Sequence, residues 1–241
     1  MALKYYEHPT SELNWQTIVA AFQETDLAII PLGSVEVYGH LPNGTDGIAA
    51  EAMAADLARQ LKAVRTPLLP FGFSPTLAAF PGTVSIDRSA FEQTLRNLAQ
   101  SLVKAGAKRI FVLNGHAGNN DAINTVLREL QDQGIKGATI QVWFFARSYD
   151  SGLFEDYNPH GHASEAGTSV MLYLRPELVD TEQWPSNIPP KNNFADITLP
   201  PNSLKAMPNG MHGVTKAATA EKGKELYTRM VNRLLEFINQ W

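Results

Sequence analysis

The stretch Arg109-Ile110-Phe111-Val112-Leu113-Asn114-Gly115-His116-Ala117-Gly118-Asn119-Asn120 decides the architecture. Ile110 to Leu113 are apolar without a break, as in a strand buried on both faces. The chain then turns polar and glycine-rich before Ile123, Val126, Leu127 and Leu130 recur at helical spacing, with a stop at Gly134. Strand, glycine loop and helix in that order are the repeating unit of a parallel sheet. On the upstream side, Phe91, Leu95, Leu98 and Leu102 form one stripe of a helix that Asp87 or Ser89 can cap and Gly106 closes. Downstream, residues 138–145 read as another strand.

The same alternation extends outward. Trp15, Ile18, Val19 and Phe22 predict an amphipathic helix over residues 11–24, and the apolar run Leu27-Ala28-Ile29-Ile30 predicts a strand over 27–32. Residues 47–61, rich in Ala, Met, Leu and Glu, predict a helix, and 63–69 a strand broken by Pro67 and Pro70. Past residue 148 come a loop, a helix over 165–174 stopped by Pro176, and a closing helix over 219–241. Residues 184–208 carry six prolines and little periodicity, which predicts a long surface excursion serving as a lid or subunit contact within a single domain spanning 1–241. The fold class is therefore α/β with a mainly parallel central sheet.

Composition narrows the partners. The 241 residues are 44% hydrophobic and 18% charged, with a net charge of -4 spread over both signs, so no basic patch suggests nucleic acid. No apolar run has the length of a membrane span, and the first residues lack the apolar core of a signal peptide, so a cytoplasmic protein is expected. With no cysteine, any metal must be held by His, Asp and Glu. Neither a Gly-x-Gly-x-x-Gly loop after a strand nor a P-loop lysine is present, which argues against a nucleotide-binding protein.

Three polar clusters fall at or near predicted strand ends: Glu36/His40/Asp46, Asn114/His116/Asn119 and His160/His162/Glu165. His116, directly after an apolar strand and between glycines, suits a metal ligand or a base; a hydrogen-bonded turn histidine is the competing reading. Two carboxylates and an imidazole converging on one crevice would attract a divalent cation.

The order of these motifs resembles the creatininase (creatinine amidohydrolase) family. Gly33-Ser34-Val35-Glu36, Gly39-His40-Leu41-Pro42 and Thr45-Asp46 are similar to its Gly-Ser-x-Glu-Gln-His-Gly-Pro-His-Leu-Pro and Thr-Asp signatures. Phe80-Pro81-Gly82-Thr83, Asn114-Gly115-His116-Ala117-Gly118-Asn119, the run His162 to Ser169, and Ala218-Thr219-Ala220-Glu221-Lys222-Gly223 complete the likeness, which spans roughly residues 27–235. The resemblance implies a three-layer α/β/α sandwich, assembly into homo-oligomers such as hexamers, and metal-dependent hydrolysis of cyclic amides or related C–N bonds in small molecules. It implies Glu36, Asp46 and His116 as ligands of one metal, with Asp46 bridging to a second in relatives, and His162 in proton transfer.

The departures concern the second metal. Tyr38 stands where the family has a histidine ligand, Gly167 where many members have a glutamate ligand, and Leu77 where a histidine is common. A tyrosine of ordinary pKa about 10 ligates poorly at neutral pH, and glycine offers nothing. One zinc or manganese ion per chain is therefore expected, iron being admissible, with any second site rebuilt from His40 and Glu165. His162 or Glu165 would move the proton, and Tyr38 is either an oxyanion donor or a packed tyrosine; Glu165 is equally well read as a helix-start carboxylate. His160 reads as a surface loop histidine and His212 as a turn or rim residue. Creatinine itself is disfavoured, and a non-catalytic binding or structural subunit is the alternative.

Overall fold

The computed structural model describes residues 4–182, 186–188 and 203–241. Most of the expected proline-rich excursion therefore lies outside the described residues. Four strands, β1 (Leu27–Leu32), β2 (Val64–Arg65), β3 (Arg109–Asn114) and β4 (Lys136–Gln141), form one sheet in the order β2-β1-β3-β4 with every pairing parallel. The α-helices are α1 (Trp15–Glu24), α2 (Thr45–Leu61), α3 (Arg88–Ala105), α4 (Asn120–Asp132), α5 (Val142–Ala146), α6 (Glu165–Leu174), α7 (Ser203–Ala206) and α8 (Ala220–Gln240).

Side-chain alternation along the strands makes the three layers. Leu27, Ile29, Phe111 and Leu113 face α2, α6 and α8, while Ala28, Ile30, Leu32, Ile110 and Val112 face the core shared with α1, α3 and α4. Because both faces are covered, β1 and β3 need apolar residues at nearly every position, as their sequences have. β1 and β3 lie side by side in register from Leu27↔Arg109 to Leu32↔Asn114. The chain leaves β1 toward β2 on one side and returns to β3 on the other, so the crevice beyond their carboxyl ends is where such sheets bind ligands.

Three expectations are corrected. The strand predicted over 138–145 ends at Gln141, because its partner β3 ends opposite at Asn114 and the Gln141 side chain caps α5 by accepting from the Phe144 amide. The strand predicted over 63–69 shrinks to Val64–Arg65, where Pro67 without an N–H interrupts the ladder; Leu69 rejoins β1 only as an isolated bridge. Asn14 starts α1 by accepting from the Thr17 amide, and the helix buries Ala21 and Phe22 while leaving Trp15 70% exposed. No described helix is long and apolar enough to cross a membrane.

Candidate metal centre

Glu36 and Asp46 follow β1, and His116 follows β3, so the sheet register sets the distance between them. Gly115 makes the approach possible: a Cβ there would collide with the Asp46 carbonyl. Asp46 sits in the first turn of α2, where the helix dipole favours a carboxylate. One ligand atom from each of Glu36, Asp46 and His116 lies within 4.8 Å of the others, and Glu36 and Asp46 are each 2% exposed.

The hydrogen bonds around these groups decide what they can hold. His116 Nε2 faces the Phe73 carbonyl at 3.0 Å and Ser74 Oγ at 3.1 Å. A carbonyl only accepts, so Nε2 carries the hydrogen. Nδ1 then points at Asp46 Oδ2 (3.1 Å) and Glu36 Oε1 (3.3 Å), both acceptors. That arrangement calls for a cation at the centre, either a proton on Nδ1 or a metal ion. A second observation agrees: Glu36 Oε2 is buried without a hydrogen-bond partner among the described residues. The donor set of two carboxylates and an imidazole whose far N–H is held by a carbonyl fits a divalent ion such as zinc or manganese.

Electrostatics run the same way. Burial opposes the charge on His116, but its hydrogen bonds to the Asp46 and Glu36 carboxylates and their charges push its pKa up to about 10. Burial opposes the charge on Asp46 too, yet the His116 hydrogen bond and charge, with Trp143, hold its carboxyl below the ordinary aspartate range.

The other oxygen of Asp46 is spoken for. Oδ1 accepts from the Tyr38 hydroxyl at 2.8 Å and from Trp143 Nε1 at 2.6 Å, and Ser34 Oγ donates to Oδ2 at 2.9 Å. Burial, then the charges of Asp46 and Glu36, raise the Tyr38 pKa well above its ordinary value, so the phenol stays protonated and keeps donating. Tyr38 is thus an Asp46 partner, and its proton is committed there. The Tyr38 ring packs against His162 with centroids 4.0 Å apart. His162 Nε2 donates to the Val37 carbonyl at 2.7 Å, which places Nδ1 4.0 Å from Glu36 Oε1.

Two expected site residues sit elsewhere. The Glu165 carboxylate is fully buried, pairs with Lys222 Nζ at 2.7 Å and accepts from the Glu155 and Asp156 amides at 2.9 and 2.8 Å. With its oxygens so engaged it stands apart from the Glu36/Asp46/His116 group, where the sequence suggests a ligand or proton carrier. The His40 ring meets Thr168 Oγ1 at 3.3 Å, away from the cluster, and burial lowers its pKa against the opposing charge of Asp180. Asn114 and Asn119 are scaffold: Asn114 holds both backbone ends of His116, and Asn119 ties Gly33 to Phe73.

The centre opens into a cleft of about 450 Å³, the size of a small-molecule site. Its wall includes Trp143, Arg147, Gln141, Ser74, His160 and His212, of which only the histidines stood out in the sequence. His160 is held by Asp150 at 2.7 Å and is largely buried in the wall, so it is no surface histidine. His212, expected as rim, lines the same cleft, and its amide donates to the His162 carbonyl at 2.8 Å. Burial and the charge of His162 lower its pKa.

Comparison with known proteins agrees with this geometry. The chain is 27% identical to a creatinine amidohydrolase of Pseudomonas putida over 95% of each chain. It is 29% identical to a mycofactocin precursor peptide peptidase of Mycolicibacterium smegmatis, covering 89% of this chain and 85% of that one. A solved mutant creatininase of Zn-Zn type superposes with a TM-score of 0.83 at 26% identity, covering 95% of this chain and 96% of the other. The structure "Creatininase Mn" gives 0.82 at 26% identity over the same shares. The family profile described as creatinine amidohydrolase matches residues 11–238, and the chain belongs to the creatininase family.

Proposed function

We propose that the chain hydrolyses a C–N bond in a small amide, cyclic or open, with one divalent zinc or manganese ion held by Glu36, Asp46 and His116. The observation that carries the reading is the inward-facing Nδ1 of His116 between two carboxylates, one of which has an unpartnered buried oxygen. Bound there, the ion supplies Lewis-acid polarisation of the scissile carbonyl and acidifies a water. The chain's own residues supply the rest. The Phe73 carbonyl fixes the His116 tautomer. Tyr38 and Trp143 lock the Asp46 rotamer and occupy Oδ1, the oxygen left for any second ion. His162, with Nε2 anchored on Val37, presents Nδ1 to take a proton and return it to the leaving nitrogen.

The occupied Oδ1, together with Gly167 lining the cleft without a side chain, supports one ion rather than two. Creatinine is not the substrate we favour, since the residues that differ from the family resemblance are those of its second metal. A homo-oligomer completes the proposal, resting on the family resemblance alone.

The test is metal analysis after gentle purification, followed by a panel of cyclic amides, formamides and peptides, with His116→Ala as control. One ion per chain with turnover lost in the variant is expected. Bound metal without turnover of any substrate favours the non-catalytic subunit, for which the absent second-metal ligands speak.

A further inference from the structure

Among the described residues, the acidic side chains that line the cleft are Glu36 and Asp46, and both belong to the proposed metal centre. A divalent ion there cancels their charge, so the rest of the wall sets the sign. That wall carries Arg147, a permanent cation in a chain whose net charge is -4.

Arg147 is placed by the same short helix that reaches the centre. Trp143 and Arg147 are four residues apart, and Arg147 keeps helical backbone angles (φ -56, ψ -30) as the residue that closes α5. Side chains at that spacing share one face about 5–6 Å apart. Trp143 spends its N–H on Asp46, so the face of α5 that carries Arg147 is also the face that reaches the centre. Its guanidinium lies 5.1 Å over the Phe144 ring and donates at 3.4 Å to the His160 carbonyl. No carboxylate lies within 4 Å of it among the described residues, for Asp150 pairs with His160 instead. A guanidinium backed by an aromatic ring, with most of its five donors unspent, is a fork for a planar anion.

We propose that Arg147 determines substrate specificity by holding a carboxylate, and that the substrate is a small amide that carries a carboxylate beside the scissile bond. This rests on the hydrolase reading for the amide and on Arg147 for the acid. One permanent charge matches a monoanion better than a phosphate dianion.

The probes are 5-oxoproline and its neutral carboxamide, which differ in charge at nearly constant shape, titrated calorimetrically into the zinc-loaded protein. The wild type is expected to bind the acid about tenfold or more tightly than the carboxamide. Arg147→Gln should shrink that preference below about twofold and Arg147→Lys should keep part of it, with melting temperatures unchanged because Arg147 is exposed. Equal binding of the two probes, or no binding of either, overturns the proposal. So does a preference that survives in Arg147→Gln, which would place the carboxylate on the metal. Turnover of neutral amides without acid preference would leave the hydrolase reading standing and sink this one. Acid preference without any turnover would do the reverse.

Discussion

The Tyr38 hydroxyl donates to Asp46 Oδ1 at 2.8 Å, so a protein side chain occupies the carboxylate oxygen that Asp46 does not turn toward His116. A Cβ added at Gly167 would meet nothing within 4 Å, so the wall opposite has room for a carboxylate side chain. Tyr38→His with Gly167→Glu should therefore raise the metal content from one to two ions per chain, measured by elemental analysis after dialysis. Either single variant should stay at one. A double variant that still holds one ion would mean that Trp143, which also donates to Oδ1, suffices to exclude the second.

Gly115 tests the sheet's role in building the site. Gly115→Ala drives a methyl into the Asp46 backbone and must separate the β1 loop from the β3 loop. Metal affinity should fall about 10- to 100-fold, the scale seen when groups that orient ligands are removed. Competition with a chromophoric chelator reads it. Unaltered affinity would show that the β1 loop adjusts without moving Asp46.

The parallel sheet and the gathering of Glu36, Asp46 and His116 were legible because β1 and β3 are apolar throughout and the polar residues follow them at once. What was not legible depends on partners distant in sequence. Val142-Trp143-Phe144-Phe145 has strong strand propensity, yet it turns helical because β3 offers no residue beyond Asn114 to pair with. That turn is what carries Trp143 to Asp46 and Arg147 to the cleft. Glu165 looked functional beside His162, but its partner Lys222 is 57 residues away. Trp15 and Val19 follow a helical stripe, and the fold leaves both exposed.

Glu165 gives a prediction that separates structure from chemistry. Glu165→Ala leaves Lys222 and two backbone amides without the buried carboxylate that satisfies them. Breaking such a pair costs about 3 kcal/mol or more. For a chain of this size that lowers the melting temperature by about 6 to 12 °C. Metal content should not change, since Glu165 is no ligand; loss of metal in a variant that remains folded would restore it to the centre.

The His116 proton makes the stability of chelated protein depend on pH in a direction set by its pKa. In the folded, chelated state that pKa is raised to about 10, because Asp46 and Glu36 outweigh the cost of burial. The unfolded chain releases the proton near the ordinary histidine value of about 6.5. The folded state therefore binds the proton more tightly, and the resulting stabilisation is complete below about pH 6.5 and lost as pH rises through about 10. Asp46 works the other way: its lowered pKa contributes stability above the ordinary aspartate value that is lost in acid. Melting temperatures in chelator should thus fall between pH 6.5 and 9.5, more steeply in the wild type than in His116→Asn. Zinc held by His116, Asp46 and Glu36 would supply the positive charge that the His116 proton supplies in its absence. The gap between zinc-loaded and chelated melting temperatures should then widen with pH across the same window. A gap that stays constant would mean that no proton leaves His116 on loading, and that Nδ1 does not ligate the ion.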